Sequence, residues 1–263
     1  MKTKPQTSLA IIFAFVFAGV AFSQQPLLWY DFEEESGNYA NKGTLATAAA
    51  VPSDMREARS APGEGVAKSR AWKAGASGSQ SGYGRKSLTL EQEAPELAAP
   101  ASFTISFWYN SPGELISGMR FCAKSAGSRK QGGYKHGYMV QTRKNAQTIQ
   151  LCLGDGGKET LLAGASPFYG LKNTWVFFAV TCDEKTGDVK FYAGTEKIPS
   201  RLVSTGKYKG TIAAASSAPF TIGNFQGSKA PAGFVGMMDN FRFYDTALTA
   251  RQIASVHAAD LKK

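Results

Sequence analysis

The sequence predicts an all-β fold, an antiparallel sandwich or jelly roll of two sheets with one short helix at the C-terminus. Three observations carry this. Strand-length apolar segments rich in aromatic and β-branched residues recur at intervals of roughly 8–15 residues, with turn-forming residues between them. The links are hairpin-length: Asp183-Glu184-Lys185-Thr186-Gly187 ends on the glycine that a positive-φ turn position needs. The alternation of strand and helix that builds parallel sheets is absent. The 263 residues are 43% hydrophobic and 12% aromatic, with 28 Gly and 11 Pro. That is enough apolar mass for a real core, and it excludes a disordered polymer, a collagen-like repeat and a disulfide-dense mini-protein.

Taken in order, the chain opens on an address. Lys2 and Lys4 precede an apolar run from Leu9 to Phe22, shorter than the roughly 20 residues that span a bilayer. Ala21-Phe22-Ser23 then supplies a small-x-small cleavage site. Residues 1–23 are read as a signal peptide and 24–263 as one domain, secreted, periplasmic or on the cell surface, with no membrane span after cleavage. An uncleaved anchor is the alternative.

Trp29 falls in the first strand, and Ala46 to Gly84 reads as long loops around a short strand near Trp72. FTISFWY alternates, with Phe103, Ile105, Phe107 and Tyr109 on one face and Thr104, Ser106 and Trp108 on the other. Ala123 to Lys135 reads as a basic Gly/Ser loop. Further strands are GYMVQT, TIQLCLG, WVFFAVTCD, DVKFYAG, FTIGNF and FVGMMDNFRFY. At the end, Thr249 and Gln252 form a capping box, and Ile253 and Val256 share one face of the helix that follows. No internal repeat is present. Cys122, Cys152 and Cys182 are an odd number without the close pairs of a zinc site, so they form one bridge and a free thiol, or three buried thiols.

The segments Leu27 to Thr44, Ala71 to Gly75, Ser102 to Pro112, Trp175 to Gly194, Phe220 to Asn224 and Gly233 to Ile253 resemble, in this order, the laminin-G-like branch of the concanavalin A-like lectin/glucanase superfamily. The last, with its G-x-x-D-x-x-R-x-Y-x-x-x-L spacing, is the most specific. The resemblance implies a jelly roll of two packed sheets and a sugar-binding or adhesive module.

Asp239 interrupts an apolar strand, and the apolar spacing slips from two to three between Met238 and Phe241, which predicts a bulge at Asp239-Asn240. A buried carboxylate needs a partner. In related jelly-roll domains an aspartate here joins N-terminal acids around a structural calcium, and the matching residues are Asp31 and Glu33, with Asn41 as a further oxygen donor. A salt bridge to Arg242 or another arginine, or a capped turn, is the alternative.

Candidate catalytic groups are few. Glu33, Glu34 and Glu35 read as solvated acids in a turn, and the paired carboxylates that glycoside hydrolysis requires are missing, since Glu91-Gln-Glu93 lacks a central acid. His136 and His257 have no partner motif.

Aromatic rings are the usual platforms for sugars, and Trp108, Tyr134, Tyr138 and Tyr169 are the candidate ligand-binding residues, with Phe168 beside the last; core packing is the alternative for each. Trp175 and Trp72 read as core. The charge of +10, with Lys124, Arg129, Lys130 and Lys135 in one loop, points to acidic polysaccharide as a partner class. No nucleic-acid-binding motif is present. The reading is a secreted, non-catalytic carbohydrate-binding or adhesion domain whose partner is a glycan or a cell-surface molecule, with a polysaccharide-degrading enzyme or a ligand-free envelope protein as alternatives.

Overall fold

A computed structural model describes residues 24–45, 49–52, 59–75, 86–90, 94–126, 134–143, 147–215, 218–224 and 233–262. The expected signal peptide, Glu91, Glu93, Arg129 and Lys130 lie outside the described residues. The first strands are β1 (Leu28–Tyr30), β2 (Ala50–Pro52), β3 (Trp72–Gly75), β4 (Leu88–Leu90) and β5 (Phe103–Asn110). The middle of the chain forms β6 (Arg120–Ala126), β7 (His136–Thr142), β8 (Thr148–Asp155) and β9 (Glu159–Ala165). Then come β10 (Val176–Asp183), β11 (Asp188–Thr195), β12 (Arg201–Lys207), β13 (Thr221–Ile222), β14 (Gly236–Tyr244) and the helix α1 (Ala250–Asp260).

They build two seven-stranded antiparallel sheets. Sheet one has the order β1-β14-β5-β10-β11-β12, with β3 also paired to β14; sheet two has the order β2-β4-β13-β6-β7-β8-β9. The first strand of the described chain lies beside the last, Leu28 opposite Phe243. Between the sheets, the alternating inward residues close on one another. Phe107 packs against Phe121, Phe178 and Phe241, with ring centroids 5.0 to 6.0 Å apart. Each such side chain contributes about 1.5–3 kcal/mol through burial.

β5 is buried on both faces because its outward side chains meet α1 rather than water. Trp108, Phe177 and Tyr244 of sheet one cluster with Leu248, Ile253 and Val256. The capping box forms as expected: Thr249 Oγ1 accepts from the Gln252 amide, and Gln252 Oε1 accepts from the Thr249 amide. At the other end of α1, Asp260 is buried and bridges two groups of the sheet. Its Oδ1 and Oδ2 accept from Arg242 Nη2 and Nη1 at 2.6 and 2.9 Å, and Oδ2 also accepts from Trp108 Nε1 at 2.9 Å. Burial opposes the Arg242 charge, the Asp260 carboxylate more than offsets it, and the guanidinium pKa is raised. His257 packs its ring on Trp108, and burial lowers its pKa.

The bulge in β14 is present: the register against β5 shifts between Asp239 and Arg242, and Asn240 takes φ 49°. Five strands differ from the sequence reading: β2 lies in the stretch read as long loops, β4 was not among the expected strands, and the other three are β6, β9 and β12. Ala123–Ala126, read as loop, extends β6, and β9 and β12 are edge strands whose half-exposed residues carry no clean alternation. The three cysteines are free and buried. Burial pushes the Cys152 and Cys182 thiols up to about 12.

Candidate functional site

The outer face of sheet two is not covered by α1, which packs on sheet one. Across β6, β7, β8 and β9 the register sets two rows of outward residues. One row is Arg120, Gln141, Gln150 and Ala163; the next is Ala123, Met139, Cys152 and Leu161. Their neighbours along each strand, Tyr138, Val140, Ile149 and Leu151, point inward to the core, as the period of two requires. The first row is polar and the second apolar, so the face has a hydrogen-bonding strip beside a greasy one.

Tyr134, immediately before β7, folds over the apolar row and forms a wall. Its backbone amide donates to Glu159 Oε2 at 3.1 Å, and its hydroxyl accepts from Arg120 Nη2 at 2.6 Å. The guanidinium carbon lies 5.8 Å from the Tyr134 ring centroid. Arg120, Gln141 and Gln150 of the first row, Leu161 of the second and Tyr134 line a cleft of about 430 Å³, with Ser117, Gly118, Thr142 and Arg143 also on its walls. That falls within the ~300–1,000 Å³ of small-molecule sites. Arg120 is 8% exposed and Gln150 2%. Gln150 Oε1 is buried with no hydrogen-bond partner among the described residues. Among the described residues that line the cleft none is a carboxylate.

Of the four aromatic candidates, Tyr134 borders this cleft and the other three are placed elsewhere. Trp108 does leave the inner face of its sheet, as alternation predicts, but α1 lies on top of it and Asp260 takes its N–H. Tyr138 points inward, its hydroxyl donating to the Leu97 carbonyl at 2.9 Å. Tyr169 is buried in a 3₁₀ turn whose carbonyl accepts from Tyr109. All three are packing residues, because the neighbouring surface is filled by another element. Lys124 is likewise buried and donates to the Ala218 carbonyl, so it is no part of a basic surface.

The cleft residues that sequence reasoning missed are Arg120, Gln141, Gln150 and Arg143. A signal was present for two of them. Gln141 in GYMVQT and Gln150 in TIQLCLG are polar interruptions of apolar strands, at the positions opposite the inward residues.

The four calcium candidates do not form one donor set. Asn41 has spent both oxygen lone pairs and both amide hydrogens on the loop: Oδ1 accepts from the Trp29 and Gly43 amides, and Nδ2 donates to the Leu27 and Leu45 carbonyls. Asp31 carries the ammonium of Lys42. Glu33 and Asp239 meet one loop: Glu33 Oε2 accepts from the Arg70 amide at 3.2 Å, and Asp239 Oδ2 from the Val66 amide and Ser69 Oγ at 3.0 and 2.9 Å. Among the described residues no three His, Cys, Asp or Glu side chains gather into a metal-sized cluster. The Asp239 partners are therefore the capped-turn alternative, not Arg242, which belongs to Asp260.

A laminin-G-type family model, described as concanavalin A-like lectin/glucanases superfamily, matches residues 83–254. No curated protein matches the chain in sequence. Among solved structures, the binding domain of botulinum neurotoxin serotype D is similar with a TM-score of 0.59 and 13% identity, over 89% of this chain and 51% of that one. A botulinum neurotoxin type C structure, described with the dependence of its cell entry on two ganglioside molecules, gives 0.59 and 16%, over 90% and 51%. Domain 4 of AbnA, a GH43 extracellular arabinanase from Geobacillus stearothermophilus, in complex with arabinotriose, gives 0.59 and 15%, over 89% and 98%. The chain thus spans about half the length of the neurotoxin domains and nearly all of the arabinanase domain. At these identities the likeness shows the fold.

Proposed function

Because the chain belongs to the concanavalin A-like lectin/glucanases superfamily, we propose that it is a secreted, non-catalytic carbohydrate-binding domain whose site is the cleft on the outer face of sheet two. The observation that carries this reading is the polar row Arg120-Gln141-Gln150 beside an apolar row walled by Tyr134. A sugar ring has the same division, hydroxyls on its rim and C–H groups on its faces. The amides and guanidinium meet the hydroxyls, while Tyr134 and Leu161 meet the C–H face. Arg120, Gln141, Gln150 and Leu161 stand on hydrogen-bonded strands and Tyr134 is held at two points, which limits the entropy lost on binding. Two similar structures are described with glycans, a ganglioside and an arabinotriose, which supports the reading. The apolar leader Leu9 to Phe22 supports export.

The test is a panel of polysaccharides assayed in parallel for binding and for soluble products. Binding without products is expected, and Tyr134→Ala is expected to weaken it by about tenfold, the loss of roughly 1.4 kcal/mol, at an unchanged fold by circular dichroism. Products would move the protein to the polysaccharide-degrading enzymes of this fold. Neither binding nor products would favour an envelope protein with no ligand.

Calcium at the end of the sandwich that holds the 59–72 segment is a narrower proposal than the sequence suggests. With Asn41 saturated and Asp31 on Lys42, an ion would rest on Glu33, Asp239 and backbone carbonyls, and its role would be to fix the loop. It requires the melting temperature to fall by several degrees in chelator. An unchanged melting temperature removes it.

A further inference from the structure

We propose that the sugar taken by this cleft carries an N-acetyl group, held between the Gln150 side-chain carbonyl, the wall made by Leu161 and Tyr134, and Arg143. The inference rests on the glycan-binding reading and narrows it to one substrate class, the 2-acetamido sugars.

The two glutamines of the polar row send their nitrogens to the same place. Gln141 Nε2 and Gln150 Nε2 both donate to Cys152 Sγ, at 3.3 and 3.5 Å. Cys152 stands on β8 beside Gln150 on the outer face, in the apolar row. An amide is planar, so a nitrogen turned to the sulfur leaves the oxygen on the opposite side. For Gln150 that oxygen is buried and has no hydrogen-bond partner among the described residues. The side chain is 2% exposed and lines the cleft. A buried acceptor without a donor is costly, and it gains most from a donor that a ligand brings.

The neighbours along the strands decide which donor fits. On one side of Gln141 and Gln150 lies the apolar row, where half-buried Leu161 packs in the cluster that contains Tyr134. On the other side is Arg143. Its backbone amide donates to the Thr148 carbonyl at 2.9 Å, so it continues the alternation of β7 and takes the outward position after Gln141. Its side chain is exposed at the rim of the cleft. The outer face therefore runs along β7 and β8 from apolar, through acceptor, to cationic donor. An acetamido group has three matching parts. Its N–H donates to Gln150 Oε1, its methyl meets Leu161 and the Tyr134 ring, and its carbonyl accepts from the Arg143 guanidinium. A hydroxyl would satisfy Gln150 but brings no methyl to the apolar wall. An ammonium would donate too, but it would enter beside Arg143 on a chain of net charge +10.

The experiment measures binding of the full domain to chitin oligosaccharides, to cello-oligosaccharides, which carry a hydroxyl in place of the acetamido group, and to chitosan oligosaccharides, which carry a free amine. The chitin series is expected to bind at least about tenfold more tightly than either of the others. Gln150→Met removes the acceptor at nearly constant length. With its fold confirmed by a melting curve, it is expected to bring the chitin and cello series to within about threefold of each other. The comparison of the three ligand series on the wild-type domain stands without that variant. Equal binding of the chitin and cello series by the wild type, or tighter binding of chitosan, would overturn the N-acetyl assignment and leave the glycan reading standing. A preference for chitin that survives Gln150→Met would overturn the role given to Gln150. Binding to none of the three would overturn the N-acetyl assignment, and the wider polysaccharide panel then decides the glycan reading separately.

Discussion

Asp260→Ala is expected to lower the stability of the domain by about 3–5 kcal/mol, the range for removing one partner of a buried ion pair. Asp260 and Arg242 are both nearly inaccessible, and the carboxylate serves three hydrogen bonds, two from the guanidinium and one from Trp108 Nε1. Alanine would strand a buried positive charge and a buried indole N–H together. The last turn of α1 would lose its tie to the sheet, and the apolar face under it would be wetted. For a domain of this size the melting temperature should drop by about 10 °C or more. The double variant Arg242→Met with Asp260→Leu separates the cause: it removes both charges at once and should recover more than half of the loss, since an apolar pair of similar volume is tolerated. A melting temperature within a degree or two of wild type for Asp260→Ala would mean that the helix is not held as described.

Gly223→Ala is expected to cost about 2–5 kcal/mol, from two sources acting together. Gly223 follows β13 with φ +83°, a left-handed conformation that costs about 1–2 kcal/mol for a residue with a Cβ. A Cβ built there would also lie 2.0 Å from Cη2 of Trp72, a ring atom of a fully buried indole. Neither side has room to yield. The Gly223 amide donates to the Phe121 carbonyl and its carbonyl accepts from the Phe234 amide, so the turn is tied at both ends. Trp72 is on β3 of sheet one, while the turn belongs to sheet two. Overpacking adds about 1–3 kcal/mol. Urea unfolding measures the sum, and a change below about 0.5 kcal/mol would show that the indole and the turn are not in contact.

Most of the fold could be read from residues in order. FTISFWY, WVFFAVTCD and FVGMMDNFRFY are long enough and regular enough that only a central strand satisfies both their faces, and all three lie side by side in sheet one. The bulge at Asp239-Asn240 was visible as a slip in spacing, and the capping box of α1 as Thr-x-x-Gln. The edge strands β9 and β12 were not visible. An edge strand buries only part of one face, so ETLLAGA and RLVSTGK need no alternation to hold their place.

The site was far less legible. Tyr134 alone among the aromatic candidates borders the cleft. Trp108, Tyr138 and Tyr169 have the same local sequence character, and what separates them is which element lies above the ring. Arg120, Gln141 and Gln150 come from three strands, so no spacing along the chain could bring them together.

By itself the sequence determined the central strands of sheet one, where the last helix starts and where the ladder of β14 slips. These are decided within a few residues by alternation, capping and turn chemistry. Which polar and aromatic groups share one surface was decided only by the tertiary structure. Facing is set by the register between strands distant in sequence, and exposure by whether another element, here α1, covers the face they share.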